Sequence, residues 1–591
     1  MPILDRLIGL ETEYAIRFRP RASLVSPPSR FGFYQSVVAA LRRRTLTATA
    51  RHFKEGVFLA NGGAVWFEAE RPAAGGGLIE GSTPECRGPR EAVRYQRAQD
   101  RLLSESARSA EIDGDLVLVK NDRDAFDHVY GAQENYEAIL ATGWSLLGWR
   151  VGLVLLLPLL LLTWFSFLVM IAALVLYLSV AGLIYLPLQL LVPEPRRLAF
   201  VLFGRDLVEG RETGSPTPVW LESTMLWATR VVTAPLALAL LLLSKATAFR
   251  CIRRGLLPFL VSRSVICGSG MVDQWGEFHL ADKAPAINCV LGFGGFLKDR
   301  PLFTLGHFFK AICVESCLSP RDFFDLFSAR QRLQIGLGDS NMSESAEYLR
   351  VGTTALLLDV IDAGELPPFP GVRRPIRALH EICADPTLRH EVKLVGGRRM
   401  TALDVQRFYF EACSRFLQRR PEAGREPREI LALWGEALEA LKEMQATGDL
   451  PTSLIGSIDW VTKKHLLDKA GKDAPWSVQK KIDIRFHELA EDGYFRMLDS
   501  AGLVPRQTDP ERVELAMRNP PSDSPATMRG HYIREFSSDD AQLSVSWKQV
   551  SLGRGFSAKV VRLSKYNRHR RLSVAARLRS RDTHGRTASS E

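Results

Sequence analysis

An uncharged, almost wholly apolar run extends from Val151 to Val192. About 20 such residues suffice to cross the hydrocarbon core of a bilayer, and one straight helix of this run would measure about 60 Å, twice the hydrocarbon thickness. The run therefore predicts a transmembrane hairpin of two helices. It is not a secretory signal peptide, since about 150 residues precede it. A buried core helix is the alternative, but soluble helices of this length normally carry a polar stripe.

A second apolar run, Val231 to Ser244, is about fourteen residues long. It is interfacial, re-entrant or, when extended back to Met225, a further crossing. Basic residues flank the two runs, and by the positive-inside rule they lie in the cytoplasm. They are Arg150, Lys245, Arg250, Arg253 and Arg254. If both flanks build one catalytic domain, the number of crossings must be even.

The remaining composition is that of a cytoplasmic protein with more than one core. A chain of 591 residues exceeds the size at which single hydrophobic cores stop growing. The eight cysteines form no CxxC or disulfide framework, which suits a reducing compartment. Much of the net charge of +11 lies in the Ser- and Arg-rich end, residues 554–591. This composition predicts a disordered tail, and beside a membrane segment it indicates anionic lipid rather than nucleic acid as the contact.

Two acidic residues lie in the first predicted strand, LIGLETEYAIRF. Glu11 and Glu13 are two positions apart, so both carboxylates project from one face of the strand. Such a pair suits a magnesium–nucleotide site, because Mg²⁺ prefers hard oxygen ligands and substrate phosphates. A solvent-exposed strand with two acids is the simpler interpretation. The stretch from Phe58 to Cys86 adds a turn, a strand carrying Trp66 and Glu68 on one face, and a Gly-rich loop that reaches Glu80.

Short motifs follow one another in a fixed order along the rest of the chain. They are GLETEY, NGG, EGSTPEC, LVLVKNDRDAFDHVYGAQENY, LLPFLVSRSVICGSG, RLQIGLGDSNMSESAEYLRVGTTALLLDVIDAG, IDWVTKKHLL, NPPSDSPATMRGHYI and VSWKQV. This series resembles the Pup ligase and depupylase (PafA/Dop) family of carboxylate-amine ligases with a glutamine-synthetase-like fold. The resemblance covers nearly everything except about residues 137–254 and the tail. The apolar runs are then an insertion in a surface loop, a site that tolerates insertions.

The resemblance implies roles for particular residues. Glu11 matches the first magnesium-binding acid of the family and Glu80 the second, and Glu13 belongs to the same acidic strand motif as a further metal ligand. Thr83 and Trp547 match nucleotide-contacting residues. The implied cofactors are therefore ATP and Mg²⁺.

The same resemblance places Glu68 where the family has its catalytic aspartate, the base that deprotonates a lysine or activates water. Other positions depart from the family pattern. Ala64 stands where the family has a nucleotide-contacting arginine, and Trp66 replaces a tyrosine that assists the metal. The acidic segment expected after Arg300 is not recognisable either. These departures predict reduced activity, or none.

Three functions follow as hypotheses. The GDSNMSE motif and the short connection between GLETEY and NGG resemble the Pup ligase, so the first is ATP-dependent joining of the C-terminal glutamate of a Pup-like tag to protein lysines, with the bacterial proteasome as an indirect partner. The second is tag removal or deamidation by a depupylase of the same family. The third is a catalytically weakened membrane adaptor that binds tag or nucleotide. All three place the chain at the cytoplasmic membrane, with the catalytic domain facing the cytoplasm.

The resemblance also implies the architecture. We expect an α+β fold in which an antiparallel sheet forms a cradle backed by helices, with a small C-terminal domain and an inserted transmembrane helical hairpin. Long amphipathic stretches support the helical content independently. The predicted units are the N-terminal part of the catalytic domain (1–136), the membrane insert (137–255, apolar segments about 151–192 and 225–244), the rest of the catalytic domain (256–480), the C-terminal domain (481–553) and the tail (554–591).

Overall fold

The structure, a computed structural model, describes residues 2–21, 27–52, 54–69, 77–123, 128–204, 208, 218–295, 299–471, 473–537, 543–553 and 558–563. Its strands are β1 (Leu7–Pro20), β2 (Thr47–Ala50), β3 (Gly56–Leu59), β4 (Ala64–Ala69), β5 (Gly77–Ser82), β6 (Cys86–Arg87), β7 (Gly114–Val119), β8 (Ala132–Ile139), β9 (Met271–Val272), β10 (Phe278–His279), β11 (Cys289–Gly292), β12 (Pro301–Thr304), β13 (Arg330–Gly338), β14 (Glu391–Lys393), β15 (Arg399–Thr401), β16 (Leu543–Val545), β17 (Gln549–Leu552) and β18 (Lys559–Arg562).

The α-helices are α1 (Arg30–Arg42), α2 (Pro89–Arg108), α3 (Gly143–Leu155), α4 (Leu157–Leu188), α5 (Pro195–Phe203), α6 (Val219–Ala246), α7 (Arg250–Ser262), α8 (Ser264–Cys267), α9 (Gly306–Lys310), α10 (Ser316–Leu318), α11 (Pro320–Phe324), α12 (Glu344–Asp362), α13 (Pro375–Cys383), α14 (Ala402–Gln418), α15 (Arg425–Thr447), α16 (Asp459–Ala470), α17 (Trp476–Phe486), α18 (Tyr494–Ser500), α19 (Pro510–Arg518) and α20 (Pro525–Phe536). Residues Ala311–Glu315 form a π-helical turn, and Ala284–Ala286, Asp325–Phe327 and Thr452–Leu454 are 3₁₀ turns.

One large sheet of 14 strands organises the described residues. Twelve of its strands run in the order β11-β12-β13-β8-β1-β5-β4-β3-β2-β16-β17-β18, while β6 and β7 pair with the two ends of β1. The expected antiparallel sheet is confirmed only in part, because β11 pairs parallel with β12 and β16 parallel with β2. At one edge β16 joins β2 from a distant part of the chain, whereas at the other edge β11 and β12 are joined by residues 293–300 alone.

Two hydrophobic cores form around this sheet. The larger joins the sheet to α2, α7, α12, α14 and α15, with the fully buried Trp434 and Trp460 within it. The smaller lies between β2, β3 and β4 and the C-terminal elements α20, β16 and β17. The C-terminal residues thus complete the main sheet. The predicted disordered tail begins too early, since β18 pairs with β17 along four residues. Residues 564–591 lie outside the described part of the chain.

The apolar insert does not fold back within residues 151–192, so that detail of the predicted hairpin is wrong. Helices α3 and α4 follow each other from Gly143 to Leu188, and the chain then reverses through α5 and returns as α6. Helices α4 and α6 lie side by side. In α3, Gly152 approaches Leu243 and Gly148 approaches Thr247, so α3 runs antiparallel to α6.

Two helices are therefore long and apolar enough to cross a membrane, judged by length and composition: Gly143–Leu188 and Trp220–Ala246. Most of their apolar side chains are exposed beyond the point where they leave the main core. The turns of both helices nearest the folded domain belong to that core, since Trp149, Leu153 and Leu240 are fully buried. The insert is thus rooted in the folded domain rather than attached by a loose linker.

Candidate functional site

A cavity of about 1010 Å³ opens above the central strands β1, β5 and β4. Strand alternation and register decide which side chains reach it. Glu13 of β1 lies opposite Glu80 of β5, and Glu80 lies opposite Trp66 of β4. Residues opposite one another in an antiparallel sheet share a face, with Cβ atoms about 5 Å apart. The three side chains therefore form one row across the cavity floor.

The other predicted acids flank this row on the same face. Glu11 lies two residues along β1 and pairs in register with Ser82, while Glu68 lies two residues along β4 from Trp66. All four acids, Glu11, Glu13, Glu68 and Glu80, line the cavity. The structure thus brings Glu11 and Glu13 together with Glu68 and Glu80, which lie more than fifty residues later in the sequence.

The ammonium group of Lys54 lies among these carboxylates. It donates to Glu80 Oε2 at 2.6 Å and forms an ion pair with Glu68. The lysine precedes β3, whose Gly56 lies directly beneath the Trp66 ring, where a Cβ atom would approach ring carbon Cε3 to 2.1 Å. Gly56 thereby permits the Trp66 side chain to lie flat beside Lys54.

Glu11 is held separately, at the side of the cavity formed by β8 and β13. Arg332 Nη2 donates to its carboxylate at 3.0 Å, Asn135 Nδ2 at 3.3 Å and Gln334 Nε2 at 3.4 Å. Such charge-assisted bonds fix the carboxylate in place. Glu11 is therefore oriented before any ligand arrives.

Burial raises the pKa of Glu13 to about 8, and the neighbouring Glu80 carboxylate adds to the rise. Burial also raises the pKa of Glu80, against the lowering effect of Lys54. Packing like charges together away from water disfavours the ionised forms. The single positive charge of Lys54 is thus too small to balance the negative charges of these acids.

Among the residues that the structure describes, no three His, Cys, Asp or Glu side chains are arranged as a ready set of metal ligands. The donors nevertheless fit Mg²⁺ in kind, because it prefers carboxylate oxygens together with phosphates. The raised pKa values of Glu13 and Glu80 agree with this, since a dication would favour both ionised forms. Magnesium at Glu11, Glu13 and Glu80 stays a prediction.

The two predicted nucleotide-contacting residues also lie at the cavity. Thr83 is buried behind the acids, and its hydroxyl accepts from the Leu10 N–H at 2.9 Å. Trp547 packs edge-on against Phe58 at 5.0 Å between ring centroids. The Arg529 guanidinium lies 4.6 Å from the Trp547 ring centroid. This packing holds the indole at the cavity wall.

The sequence comparison decides the relationship. The chain matches the family described as "Pup-ligase protein" over residues 6–551. The chain belongs to the Pup-ligase protein family. A Pup–protein ligase of Acidimicrobium ferrooxidans is 26% identical over 569 residues, which cover 93% of this chain and 94% of that protein. A depupylase of Acidothermus cellulolyticus is 33% identical over 52% of this chain, and the matched region is 59% of its own length.

Solved structures agree on the fold of this Pup-ligase family chain. A complex between the prokaryotic ubiquitin-like protein Pup and its ligase PafA matches with a TM-score of 0.64 over 96% of this chain and 90% of that chain, at 20% identity. A structure of PafA with ADP matches with a TM-score of 0.57 over 87% of both chains, at 19% identity. The chain spans about two thirds of a Rhodococcus erythropolis Pup–protein ligase to which it is 33% identical, or 66% of its length.

Ala64 and Trp66, where we expect departures from the family pattern, are buried in this chain. Ala64 is almost fully buried in the smaller core and is not part of the cavity wall. Trp66 is also buried, and its indole N–H donates to Ser82 Oγ at 3.3 Å. An arginine side chain at residue 64 would have to displace this packing.

Sequence reasoning missed most of the cationic residues of the site. Lys54, Lys310, Arg332 and Lys548 all line the cavity. They are scattered along the chain without a motif, so register and tertiary packing alone bring them together. Lys310 is carried by α9, in the segment where the family's acidic motif is not recognisable.

His52 is a further residue of the site that no sequence motif indicates. Its ring packs 4.8 Å from the Trp66 ring and its Nε2 contacts the Lys310 ammonium. Burial, and then the charges of Lys310 and Lys54, lower the pKa of His52 to about 4. The imidazole is therefore neutral at physiological pH and accepts a hydrogen bond from Lys310.

Proposed function

We propose that this chain is an ATP-dependent ligase that forms an isopeptide bond between the C-terminal glutamate of a Pup-like tag and protein lysines. Membership of the family supports the chemistry, and the Acidimicrobium ferrooxidans relative named Pup–protein ligase matches over nearly its full length. The observation that carries the proposal is the row of Glu13 and Glu80, flanked by Glu11 and Glu68, on the floor of one cavity.

A free carboxylate resists attack by an amine because its leaving group would be oxide. Transfer of the terminal phosphate of ATP gives the tag an acyl phosphate, whose leaving group is phosphate. Magnesium held by Glu11, Glu13 and Glu80 would neutralise the charge that moves in this transfer. The basic side chains Lys310 and Arg332 face the same space and provide positive charge for the phosphates.

Glu68 is the residue suited to act as a base. Its side chain is 35% exposed, against 11% for Glu80, so it lies nearer the cavity mouth. Glu68 accepts the proton of the incoming lysine amine, whose lone pair then attacks the activated carbonyl carbon and expels phosphate.

Incubation of full-length protein in detergent with MgATP, a tag ending in glutamate and a lysine-bearing protein tests the proposal. The expected result is a covalent conjugate that requires ATP and is lost in Glu68→Gln. If the purified protein binds MgATP but forms no conjugate under conditions in which a family ligase does, the ligase proposal is wrong.

The match to a depupylase at 33% identity favours one alternative, removal of the tag or its deamidation by the same site. In that reaction Glu68 would activate water instead of an amine. Purified conjugate would then be cleaved without net consumption of ATP.

The buried Ala64 and Trp66 motivate the second alternative, a weakened adaptor. A calorimetric titration that shows no MgATP binding would favour it.

We also propose that α4 and α6 anchor the chain in the cytoplasmic membrane, with the cavity on the cytoplasmic side. The supporting features are two long apolar helices whose side chains are largely exposed, and basic residues at the end where they enter the folded domain. Extraction of cell membranes at alkaline pH tests this: an integral protein stays in the pellet, and release into the supernatant contradicts the anchor.

A further inference from the structure

A groove of about 540 Å³ lies where the C-terminal end of α6 meets the first turns of α7. Its rim is formed by three exposed basic residues, Lys245, Arg250 and Arg254. Its floor is apolar and includes Leu242 and Leu257. The groove is therefore amphipathic, because basic and apolar side chains line it together.

The fourth basic residue of the groove, Arg253, is already used by the fold. Its guanidinium donates to the carbonyl oxygens of Ser244 at 3.0 Å and Lys245 at 2.9 Å, which belong to the last turn of α6. Burial, and then the positive charges of Arg250 and Arg254, hold the pKa of Arg253 below its ordinary value. The fold thus brings the positive charges of these arginines close together.

The rim residues lack acidic partners. In the part of the chain that the structure describes, no ion pair joins a carboxylate to Lys245, Arg250 or Arg254. Other exposed arginines do pair, such as Arg425 with Glu429. The α7 helix also begins without a side-chain cap, so its first N–H groups add to the attraction for an anion. The groove is therefore positively charged and uncompensated.

The groove lies at the end of the apolar helices that joins the folded domain, where one face of α3 is buried in the core and the face with Leu147, Val151 and Leu155 is exposed. Ser145 Oγ donates to the Thr247 carbonyl oxygen at 3.2 Å, so the start of α3 is level with the end of α6. Trp144, directly before it, is 86% exposed. Exposed tryptophan at the end of an apolar helix is typical of the headgroup region of a bilayer.

We propose that this groove binds an anionic phospholipid, with its headgroup phosphate at Lys245, Arg250 and Arg254 and the first carbons of an acyl chain on Leu242 and Leu257. The proposal rests on the proposed membrane anchor. An anionic lipid fits better than a zwitterionic one, because no carboxylate at the rim receives a choline or ethanolamine group. A free phosphate would leave the apolar floor unused.

Native mass spectrometry of the full-length protein in detergent, titrated with phosphatidylglycerol or phosphatidylcholine, measures the preference. We expect tighter binding of phosphatidylglycerol. Each basic residue near an anionic surface contributes about five-fold in affinity, so Arg250→Ala combined with Arg254→Ala weakens the binding roughly thirty-fold. The charge-preserving pair Arg250→Lys with Arg254→Lys keeps most of it.

The matched control removes two exposed arginines from α19, Arg512→Ala with Arg518→Ala, whose side chains are 66% and 73% exposed. This control loses the same charge and keeps phosphatidylglycerol binding. If the two lipids bind equally, or if the control variant loses as much phosphatidylglycerol binding as the groove variant, the groove proposal is wrong and the membrane anchor is unaffected. If inorganic phosphate raises the melting temperature of the protein as much as phosphatidylglycerol does, the assignment of the groove to lipid is wrong. Failure of the wild-type protein to remain with membranes overturns the anchor and the groove together.

Discussion

Lys54 Nζ lies 2.6 Å from Glu80 Oε2 and also contacts Glu68, so one ammonium group occupies the space between two acids of the cavity floor. A cation bound by Glu80 has to share or replace this contact. Lys54 therefore compensates the acids in the absence of a metal and competes with the metal when it binds.

Substitution Lys54→Met should lower the stability of the metal-free protein. It removes the ion pairs of Glu68 and Glu80 and one of the positive charges near Glu13, and we expect a loss of about 1 kcal/mol, since the partly exposed ammonium is screened by solvent. Melting temperatures measured with and without Mg²⁺ test this. The deficit should shrink when Mg²⁺ is added, and Lys54→Arg should show little of it. A deficit that Mg²⁺ leaves unchanged would contradict the competition.

The pKa of Glu13, raised to about 8 from an ordinary value near 4.5, gives a pH dependence of stability. The folded protein binds this proton more tightly than the unfolded chain, so the free energy of unfolding falls as pH rises from about 4.5 to about 8. Below that range the group has no effect. We expect Glu13→Gln to raise the stability of the metal-free protein at pH 8 by roughly 1–2 kcal/mol, and by much less near pH 5.

Thermal melts of wild type and Glu13→Gln at both pH values measure this difference. The exposed Glu55, which does not line the cavity, supplies the control substitution Glu55→Gln. An equal effect of Glu13→Gln at the two pH values would show that its ionisation is not linked to folding.

The roles proposed for Glu68 and Glu80 separate in binding and turnover. Glu68→Gln should reduce conjugate formation by about 10²–10⁴-fold while MgATP still binds, because a base acts on the proton of the amine. Glu80→Gln should weaken MgATP binding itself, since a metal ligand is lost. Calorimetry together with a conjugation assay distinguishes them. Full activity of Glu68→Gln would remove it from the chemistry, and weak MgATP binding by that variant would place it with the metal instead.

The floor of the site was predictable from sequence because strand alternation is local. The two-residue spacing of Glu11 and Glu13 in β1, and of Trp66 and Glu68 in β4, is sufficient to put each pair on one face. The register between β1, β5 and β4 then aligns them. Lys54 and Lys310 were not predictable in this way, because they reach the cavity from a loop and a short helix through tertiary packing.

The reversal of the apolar insert was misplaced for a related reason. Length alone suggested a turn inside the run, although no turn residues lie at its centre. The segment Pro193-Glu194-Pro195 indicates where the helix ends, because proline interrupts a helix and the residue before a proline disfavours the helical conformation. The chain reverses there, between α4 and α5, and α5 packs on α4 through Tyr177, whose hydroxyl donates to the Leu202 carbonyl oxygen at 3.0 Å.

The root of the insert contacts the segment that forms one wall of the cavity. Trp164 of α4 donates to the Cys313 carbonyl oxygen at 2.9 Å, within the π-helical turn, and Trp149 packs 5.3 Å from Phe308 of α9. Removal of residues 140–252 takes away this support along with fully buried side chains of the main core. We expect that deletion to yield unfolded or aggregated protein.

A shorter deletion should give a folded, soluble enzyme. The register of Gly152 beside Leu243, continued along the antiparallel pair, places Trp164 level with about residue 231. Replacing residues 166–229 with a short glycine-rich linker therefore removes most of the exposed apolar length but keeps Trp149, Trp164 and the buried end of α6. We expect this variant to remain soluble without detergent, to melt cooperatively and to bind MgATP as the full-length protein does.

Adding Trp164→Phe, which removes the hydrogen bond to Cys313, should weaken MgATP binding a few-fold, since that bond is worth about 1 kcal/mol. Unchanged binding in the Trp164→Phe form would show that the insert supports the fold without influencing the cavity.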